Sequence, residues 1–485
     1  MKKTNITQGQ QPPDGANPTA HPVYHIQHLL QQLRATFKRP EPYRHLRHLF
    51  VAELMTLARK TLTQLVRTLA PWLAHDRPLP TSRYYRLFQR SWHPDRAFHL
   101  LFQQTLTACP PDQPYCLVAD GTAVPRTGKR MPGVYWHPNP QDAPFQRGLG
   151  WAQRFVMLGW LPPDEAGFTR CLPVQWLPAF SPNSARALPA SRRAEIEAWE
   201  VGVRQVRAWL DASGRAAQWL VCIGDGRGDT KAWGTLGLPN TVCCVRTRKD
   251  SLWCELPASG ERGRLYGRRR WRPQEVWRER TGWRPVGLTV RGRWVALWVK
   301  VKGPCRRVGW GERVFYVIVV RGHRSGRRGV KERPPQAFWV QAVSDGRGGW
   351  QLPWGVEWWL GLLWQRWMIE VSFRELKSGF GLGEKQCWGL VSGERSVAWS
   401  AWVYGVLLWS GYRAWGWLGG ERWGGRRRRC WTLRDVVWSV RVAWLEAEGA
   451  LGGLEWDWAK GGLSGGSGGA GIGRVVQSWL CQWRL

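Results

Sequence analysis

Hydrophobic and polar positions repeat with a helical period in the first part of the chain. Over residues 21–108, apolar residues recur every three or four positions, and basic residues fill many of the positions between them. Thr61 or Thr63 is placed to cap a helix that follows Arg59 and Lys60. The pattern predicts a basic helical domain over residues 21–108.

One helix of this domain is predicted to separate its charges from its apolar side chains. Thr81 and Ser82 are placed to cap it. Its basic residues share one helical face: Arg83, Arg86 and Arg90. Its apolar residues lie on or near the other face: Tyr84, Leu87, Phe88 and Trp92. A solvated face of a helical bundle and a contact with the DNA backbone both remain open for the three arginines.

Short apolar runs alternate with helical periodicity over residues 109–248. YCLVAD (115–120) and QWLVCIGD (218–225) each predict a buried strand that ends in an aspartate. An amphipathic helix is predicted between them around Arg192–Ala212, and TVCCVR (241–246) predicts a further strand. Strands that alternate with helices predict an α/β domain with a largely parallel sheet.

A period of two replaces the helical period over residues 249–335. In RWVALWVKVK, Leu297 and Val299 face one side, whereas Trp298, Lys300 and Lys302 face the other. This alternation predicts a β-rich insertion. Trp294 or Trp298 beside the lysines could stack on an unpaired base or belong to the structural core.

The remaining segments are predicted from periodicity and composition. After AFWVQAV (337–343), a long helical pattern runs from Val356 to Phe380, and a Trp-rich helical region continues to residue 447. We assign residues 336–447 to the completion of the core and to C-terminal helices. Residues 1–20 predict a disordered leader, and residues 448–485 a Gly-rich tail.

The net charge of the chain limits the kinds of partner that it could bind. The 485 residues contain 71 Lys and Arg against 35 Asp and Glu, a formal net charge of +36. Nucleic acid is the commonest polyanion to neutralise such a surplus, and an anionic membrane comes next. The longest uncharged apolar stretch, 396–412, is shorter than the ~20 residues that span a bilayer. We therefore predict a buried helix there, an intracellular, cytoplasmic protein and no membrane partner.

The cysteines do not indicate a zinc site. The 11 cysteines are scattered, and none forms a C-x-x-C pair. The nearest approach to a ligand set, His93 and His99 with Cys109 and Cys116, has poor spacing. Free and mostly buried thiols are the better prediction.

The first candidate site residues are two aspartates at the ends of predicted strands. Neighbouring parallel strands bring their carboxyl ends together, so Asp120 and Asp225 could share a divalent cation. The alternative is that Asp120-Gly121 and Asp225-Gly226 merely open turns.

A third acidic residue favours the functional interpretation. In the helix predicted over 356–380, Val356, Leu360, Leu363 and Trp367 form an apolar stripe, and the next member of that stripe is Glu370. A carboxylate on a packed face is costly unless a cation or several donors meet it. Arg366 and Lys377 lie nearly on the same line, although a local ion pair of Arg366 with Glu370 is an alternative.

These residues resemble those of a known family. Arg366, Glu370 and Lys377 fit R-x3-E-x6-K within RWMIEVSFRELKSGFGLGEKQ, and VADGTAVPRTGKR and VCIGDGRGDT resemble the segments around the first two acids of bacterial insertion-sequence transposases of the DDE class. The resemblance is to the group that has a β-rich insertion before its final Glu. The Tyr that precedes this signature in the family is Leu363 here, a departure for which Trp364 could substitute.

The resemblance implies an α/β fold with an RNase H-like catalytic core. In that core Asp120, Asp225 and Glu370 would hold two magnesium ions, with manganese as a substitute. Arg366 and Lys377 would bind phosphates at the end of the transposable element. Double-stranded DNA is the implied partner, as transposon end and as target, and the synaptic complex is expected to be a homodimer in a nucleoid-associated, bacterial setting.

Three competing assignments stay open. Asp229 could replace Asp225, and Glu375 could replace Glu370. After Asp120, the loop residues Arg126, Lys129 and Arg130 could contact DNA or simply be solvated. A metal-dependent transposase that cleaves transposon ends and transfers strands is the leading hypothesis. A non-catalytic nucleic-acid-binding protein derived from an inactivated transposase is the rival.

Overall fold

The computed structural model describes most of the chain. It covers residues 18–70, 80–128, 131, 133–138, 148–180, 198–258, 263–321, 335–420, 430–447, 455–457 and 462–464. They belong to two units: a helical unit of Met1–Leu101 with Glu375–Leu485, and a sheet unit of Phe102–Arg374. Residues 1–17 of the leader predicted over 1–20, Lys129, Arg130, Cys481 and most of the predicted tail lie outside the described residues. Residues 18–20 of that leader form a helical turn, so the prediction of disorder is wrong for them.

Helices lie at both ends of the chain and between strands. In chain order they are α1 Pro22–Arg34, α2 Pro40–Met55, α3 Leu62–Leu69, α4 Thr81–Arg86, α5 Pro94–Leu106, α6 Ala198–Ala212, α7 Lys231–Gly234, α8 Pro273–Arg278, α9 Val356–Gln365, α10 Met368–Gly379, α11 Leu390–Trp415 and α12 Leu433–Ala447. Short turns of other helical type occupy Pro18–Ala20, Leu87–Ser91 and Gly226–Gly228.

Strands fill the middle of the chain. They are β1 Tyr115–Pro125, β2 Val134–Pro138, β3 Leu149–Trp160, β4 Leu172–Pro178, β5 Leu220–Gly224, β6 Thr241–Thr247, β7 Trp253–Glu255, β8 Arg270–Trp271, β9 Arg284–Val290, β10 Arg293–Arg307, β11 Val314–Arg321, β12 Gln336–Gln341, β13 Val343–Ser344, β14 Trp350–Gln351, β15 Glu455–Asp457 and β16 Gly462–Ser464. Within the predicted tail, β15 and β16 pair antiparallel.

Local signals at the helix starts are partly confirmed. Thr61 caps α3, since its side chain accepts a hydrogen bond from the Gln64 N–H at 3.2 Å. The predicted cap of the next basic helix is wrong, because α4 already includes Thr81 and follows Pro80, whose ring fixes the backbone just before the first turn. The predicted two faces of that helix are confirmed. Arg83, Arg86 and Arg90 are exposed, and Tyr84, Leu87, Phe88 and Trp92 are buried.

The core of the helical unit contains a buried ionic network. The Glu53 carboxylate is fully buried and accepts hydrogen bonds from Lys385 Nζ at 3.0 Å and Trp399 Nε1 at 3.3 Å. Lys385 Nζ also donates to Ser400 Oγ at 2.8 Å, and Lys60 Nζ donates to the Glu53 carbonyl. The buried charge of Glu53 is therefore paired with that of Lys385, and Lys60 is hydrogen-bonded to a carbonyl oxygen.

The long helix α11 is the buried helix expected from the apolar stretch 396–412. Its residues from Ser396 to Gly411 are buried. None of the helices in the described ranges is long and apolar enough to cross a membrane. The ten cysteines described are all free, and all but Cys430 are buried, as the sequence predicts.

The buried lysine of this network gives a pH-dependent prediction. Burial lowers the pKa of Lys60 from 10.5 to about 8. The negative charges of Glu53 and Glu384 raise this pKa, and the positive charges of Arg441 and Lys385 lower it further. Between pH 8 and 10.5 the unfolded chain binds more protons at this lysine than the folded one, so stability rises with pH there. Relative to Lys60→Met, we expect the wild-type free energy of unfolding to increase by about 3 kcal/mol across that window.

Urea titrations of both proteins at a series of pH values measure this difference. The comparison cancels the titration of the other lysines and tyrosines, which both proteins share. If the difference in unfolding free energy between wild type and Lys60→Met did not change between pH 8 and 10.5, the lowered pKa of Lys60 would be wrong.

The sheet unit confirms the α/β class and corrects the strand directions. Its main sheet has the order β2-β3-β1-β5-β6-β12-β11-β10-β7-β8, with β4 beside β3 and β9 beside β10. Only β1, β5 and β6 pair in parallel within the described sheet, so the prediction of a largely parallel sheet is wrong. The connections among β1, β2, β3 and β4 contain no described crossover helix, and such connections join antiparallel strands.

The strands predicted as an insertion extend this same sheet. Strand β12 pairs with β6 on one side and with β11 on the other, and β11 pairs with β10. The predicted alternation of β10 holds at Leu297 and Val299, which are buried, and at Trp298, which is exposed. Lys300 departs from it: this lysine is buried because its Nζ donates to Glu279 Oε2 at 2.9 Å and lies over the Trp283 ring.

Candidate active site

The parallel strands place two acidic residues side by side. Ala119 of β1 is in register with Gly224 of β5, which is in register with Val245 of β6. The residues that follow in the chain, Asp120 and Asp225, therefore stand together at the carboxyl edge of these strands.

Asp120 lies inside its strand and not at its end, contrary to the sequence prediction. Strand β1 continues to Pro125 because it pairs antiparallel with β3 along this whole length, from Leu117 opposite Trp160 to Pro125 opposite Ala152. Gly121 is a strand residue, so the alternative of a turn at Asp120-Gly121 is wrong. Asp225, by contrast, directly follows β5 and accepts a hydrogen bond from the Arg227 N–H at 2.9 Å.

The helix that carries the third acid is interrupted. The sequence predicts one helix from Val356 to Phe380, but α9 ends at Gln365 and α10 begins at Met368. The turn between them exposes 57% of Trp367, so the predicted apolar stripe stops before Glu370. Glu370 lies in the first turn of α10 and is half-buried. The prediction that Glu370 lies in a helix is confirmed, but the prediction that it continues a packed apolar stripe is wrong.

Asp120 is 5% exposed, and the negative charges of Asp225 and Glu370 act on it. Burial, then the negative charges of Asp225 and Glu370, raise the pKa of Asp120 to about 7. The positive charge of Arg366 and a hydrogen bond from the Gly121 N–H, at 2.7 Å from Asp120 Oδ1, act in the opposite direction. The structure therefore brings Asp120, Asp225 and Glu370 into one electrostatic environment.

Arg366 forms an ion pair with Asp120 in this acidic group. Its Nη1 lies 3.6 Å from Asp120 Oδ2. Among the described ion pairs, Arg366 is thus paired with Asp120 and not with Glu370. Arg366 Nη1 is buried and makes no hydrogen bond to the described residues. A buried guanidinium nitrogen without an acceptor suits an oxygen of an anionic ligand.

The donor set fits a hard divalent cation in its chemistry. All three groups are carboxylates, which Mg²⁺ prefers as ligands, and their mutual repulsion at Asp120 would be relieved by positive charge. Among the described residues, no three His, Cys, Asp or Glu side chains are grouped closely enough to hold a metal ion. The carboxylates are thus suitable in kind, although they are not clustered closely enough in this structure to hold an ion.

The competing carboxylate Asp229 has a different role in the fold. Its side chain is only 1% exposed and pairs with Arg307, which stacks on the Trp310 ring. Trp339 Nε1 donates to Asp229 Oδ1 at 2.9 Å, and the Arg248 N–H donates to Oδ2 at 3.1 Å. Asp229 therefore anchors β10 and β12 to the end of β5 and has no oxygen open to a ligand.

Glu375 and Arg126 are likewise engaged within the fold. Glu375 Oε2 accepts a hydrogen bond from the Tyr404 hydroxyl at 2.8 Å within the helical unit. The loop position of Arg126 suggests DNA contact or solvation, but Arg126 is buried and its Nη2 donates to Gln153 Oε1 at 3.1 Å. Neither residue competes with the acids at the edge of the sheet.

The other predicted DNA-binding residues belong to the helical unit or lie outside the described residues. Lys377 is exposed and lies two turns after Glu370 on α10. The exposed arginines of α4 and the following turn belong to the helical unit. Lys129 lies outside the described residues.

Two further arginines lie near the acids and were not singled out from the sequence. Arg154 lies on β3, and Arg227 lies in the turn directly after Asp225. The GDGR segment offered a signal for Arg227, because a residue two positions after a predicted site aspartate must lie close to it. No local pattern marked Arg154, which reaches the site only through the pairing of β3 with β1.

A comparison with protein families identifies the family to which the chain belongs. The family model described as DDE superfamily endonuclease matches residues 29–313, a span that includes Asp120 and Asp225 and ends before Glu370. No curated protein matches the chain.

Proposed function

Because the chain belongs to the DDE superfamily of endonucleases, we propose that it is a DNA transposase whose catalytic acids are Asp120, Asp225 and Glu370. The family accounts for the α/β sheet unit, in which β4, β3, β1, β5 and β6 form an RNase H-like core. The observation that carries the proposal is the electrostatic grouping of the three acids around a buried Asp120 with Arg366 beside them.

The side chains of this site suit phosphodiester cleavage. Arg366 is placed to bind a non-bridging phosphate oxygen, since its buried Nη1 has no hydrogen-bond acceptor among the described residues. Asp120 is held in a strand paired on both sides, which fixes the carboxylate relative to the Asp225 turn. These residues would orient the scissile phosphate at the edge of the sheet.

When bound by the three carboxylates, Mg²⁺ would lower the pKa of the attacking water and stabilise charge on the leaving oxygen. In the proposed first step, water adds to the phosphorus at the transposon end and the bond from phosphorus to the 3′ oxygen breaks, which leaves a 3′-hydroxyl. In the second step that hydroxyl attacks a target phosphodiester and displaces a 3′ oxygen of the target strand. Manganese is an alternative cation with the same preference for oxygen ligands.

The basic surface would supply the DNA contacts. The exposed Arg83, Arg86 and Arg90 share a helical face, and Lys377 is exposed on α10. A net charge of +36 favours binding to duplex DNA through its phosphates. We place the protein in the bacterial cytoplasm at the nucleoid, acting on transposon ends and target DNA as a homodimer.

Metal dependence is the direct test of this function. With a plasmid that carries the gene and its flanking DNA, we expect nicks at the element ends in the presence of Mg²⁺ and none in EDTA. Addition of excess Mg²⁺ to the EDTA sample should restore cleavage, which excludes irreversible damage. Tight DNA binding without cleavage under any of Mg²⁺, Mn²⁺ or EDTA would favour the rival, a non-catalytic DNA-binding protein.

A further inference from the structure

Arg154 faces the acidic group from the strand next to it. Its backbone is held on both sides, by the pairing of β3 with β1 opposite Ala123 and by the Ala179 N–H, which donates to the Arg154 carbonyl at 2.9 Å. A Cβ atom at position 121 would lie 3.5 Å from Arg154 Nη2. The guanidinium is therefore positioned over Gly121, the residue after Asp120, on a rigid part of the sheet.

Arg227 reaches the same region from the other acidic strand end. It lies in the turn Gly226–Gly228, and its N–H donates to Asp225 Oδ1, so the turn ties its backbone to this aspartate. Burial and the positive charge of Arg227 lower the pKa of Arg154, whereas Asp120 and Asp225 oppose this shift. The charges of Arg227, Asp120 and Asp225 thus all act on Arg154.

The two guanidinium groups lack a partner that would explain this arrangement. Within the described residues, neither guanidinium makes a hydrogen bond or a close ion pair. Arg154 is half-buried, so part of its hydration is lost without compensation from a protein acceptor. A pair of guanidinium groups offers planar sets of N–H donors that match the oxygens of a phosphate.

The unpaired guanidinium groups point to a ligand that is anionic. Their N–H donors have no acceptor among the described residues, and a DNA strand supplies one negative charge for each phosphate.

We propose that Arg154 and Arg227 form a phosphate-binding site for a DNA strand that passes over Gly121, separate from the contact assigned to Arg366. This inference deepens the proposed function and rests on it for the identity of the substrate. The ligand group is a backbone phosphate, so the site contributes affinity without reading base sequence.

The test is the salt dependence of DNA binding by the full-length protein. A fluorescently labelled duplex of mixed sequence is titrated in EDTA at several salt concentrations, so that binding is measured without cleavage. Loss of one phosphate contact should reduce the slope of log affinity against log salt by about 1. We expect this reduction, with about tenfold weaker binding at moderate salt, for both Arg154→Gln and Arg227→Gln.

Arg204→Gln is the matched control. It removes the same charge from an exposed position on α6 in the same unit, and we expect its slope to equal that of the wild type. Equal slopes for all four proteins, or an equal reduction in the control, would overturn the proposal. If Arg154→Gln fails to fold, the exposed Arg227→Gln decides alone, and Arg154→Lys should keep the slope because it keeps the charge.

The outcomes separate this inference from the proposed function. A reduced slope in a protein that never cleaves DNA would retain the phosphate site and reject the transposase. An unchanged slope in a protein whose wild type cleaves DNA would reject the phosphate site alone. Inorganic phosphate serves as the second probe: competition at low concentration would indicate a site for free phosphate in place of one for DNA.

Discussion

Asp225→Asn is expected to reduce DNA cleavage at least about a thousandfold, equivalent to about 4 kcal/mol in the barrier, while the fold stays intact. Asp225 is half-buried, and its Oδ1 accepts a hydrogen bond from the Arg227 N–H, which an asparagine oxygen can also accept. The substitution therefore removes the charge needed to bind a cation and little else. Asp120→Asn and Glu370→Gln should have the same effect on cleavage.

Cleavage and thermal unfolding are measured together on each variant. Asp250→Asn serves as the control because it removes an exposed carboxylate from the same unit and should cleave at the wild-type rate. DNA binding in EDTA should remain close to that of the wild type in all four variants. Cleavage by Asp225→Asn at more than a tenth of the wild-type rate would show that the assignment is wrong.

Asp229→Ala is expected to reduce the free energy of unfolding by about 3–5 kcal/mol. The side chain of Asp229 is nearly fully buried, and its removal leaves Arg307 buried without its counter-charge. Trp339 Nε1 and the Arg248 N–H would lose their acceptor at the same time. This loss is large because one carboxylate satisfies groups from several strands.

Denaturant unfolding of the wild type, Asp229→Ala and the double variant Asp229→Ala with Arg307→Met measures the effect. The double variant should recover part of the lost stability, because the methionine removes the unpaired buried charge. Asp225→Asn provides the contrast, since it should change stability by less than about 1 kcal/mol. A stable but inactive Asp229→Asn would instead indicate that Asp229 is a catalytic ligand.

The local sequence pattern was sufficient to predict the buried strands and the fold class. The runs around Asp120 and Asp225 and the run TVCCVR form β1, β5 and β6, since a short apolar run bounded by turn residues is a local signal. The directions of the other strands depend on pairing between distant segments. Periodicity does not encode which strands pair, and this explains the wrong prediction of a largely parallel sheet.

The candidate site was predictable only where it follows strand ends. Asp225 comes directly after β5, as expected. The end of β1 was misplaced because its extension beyond Asp120 is stabilised by β3, a contact that local sequence does not show. The break between α9 and α10 at Arg366 and Trp367 carries no Pro or Gly, so the usual signal for a helix end was absent.

The pairing of Glu53 with Lys385 affects how the chain can fold as it is synthesised. The two residues are separated by 332 positions, so Glu53 leaves the ribosome roughly 15–65 s before its counter-ion at ~5–20 residues per second. During that interval the acid has no buried cation from α11 or its preceding loop. We therefore expect the first helices to stay hydrated and incompletely packed until Lys385 is synthesised, and a product truncated before Lys385 to expose that surface to proteases.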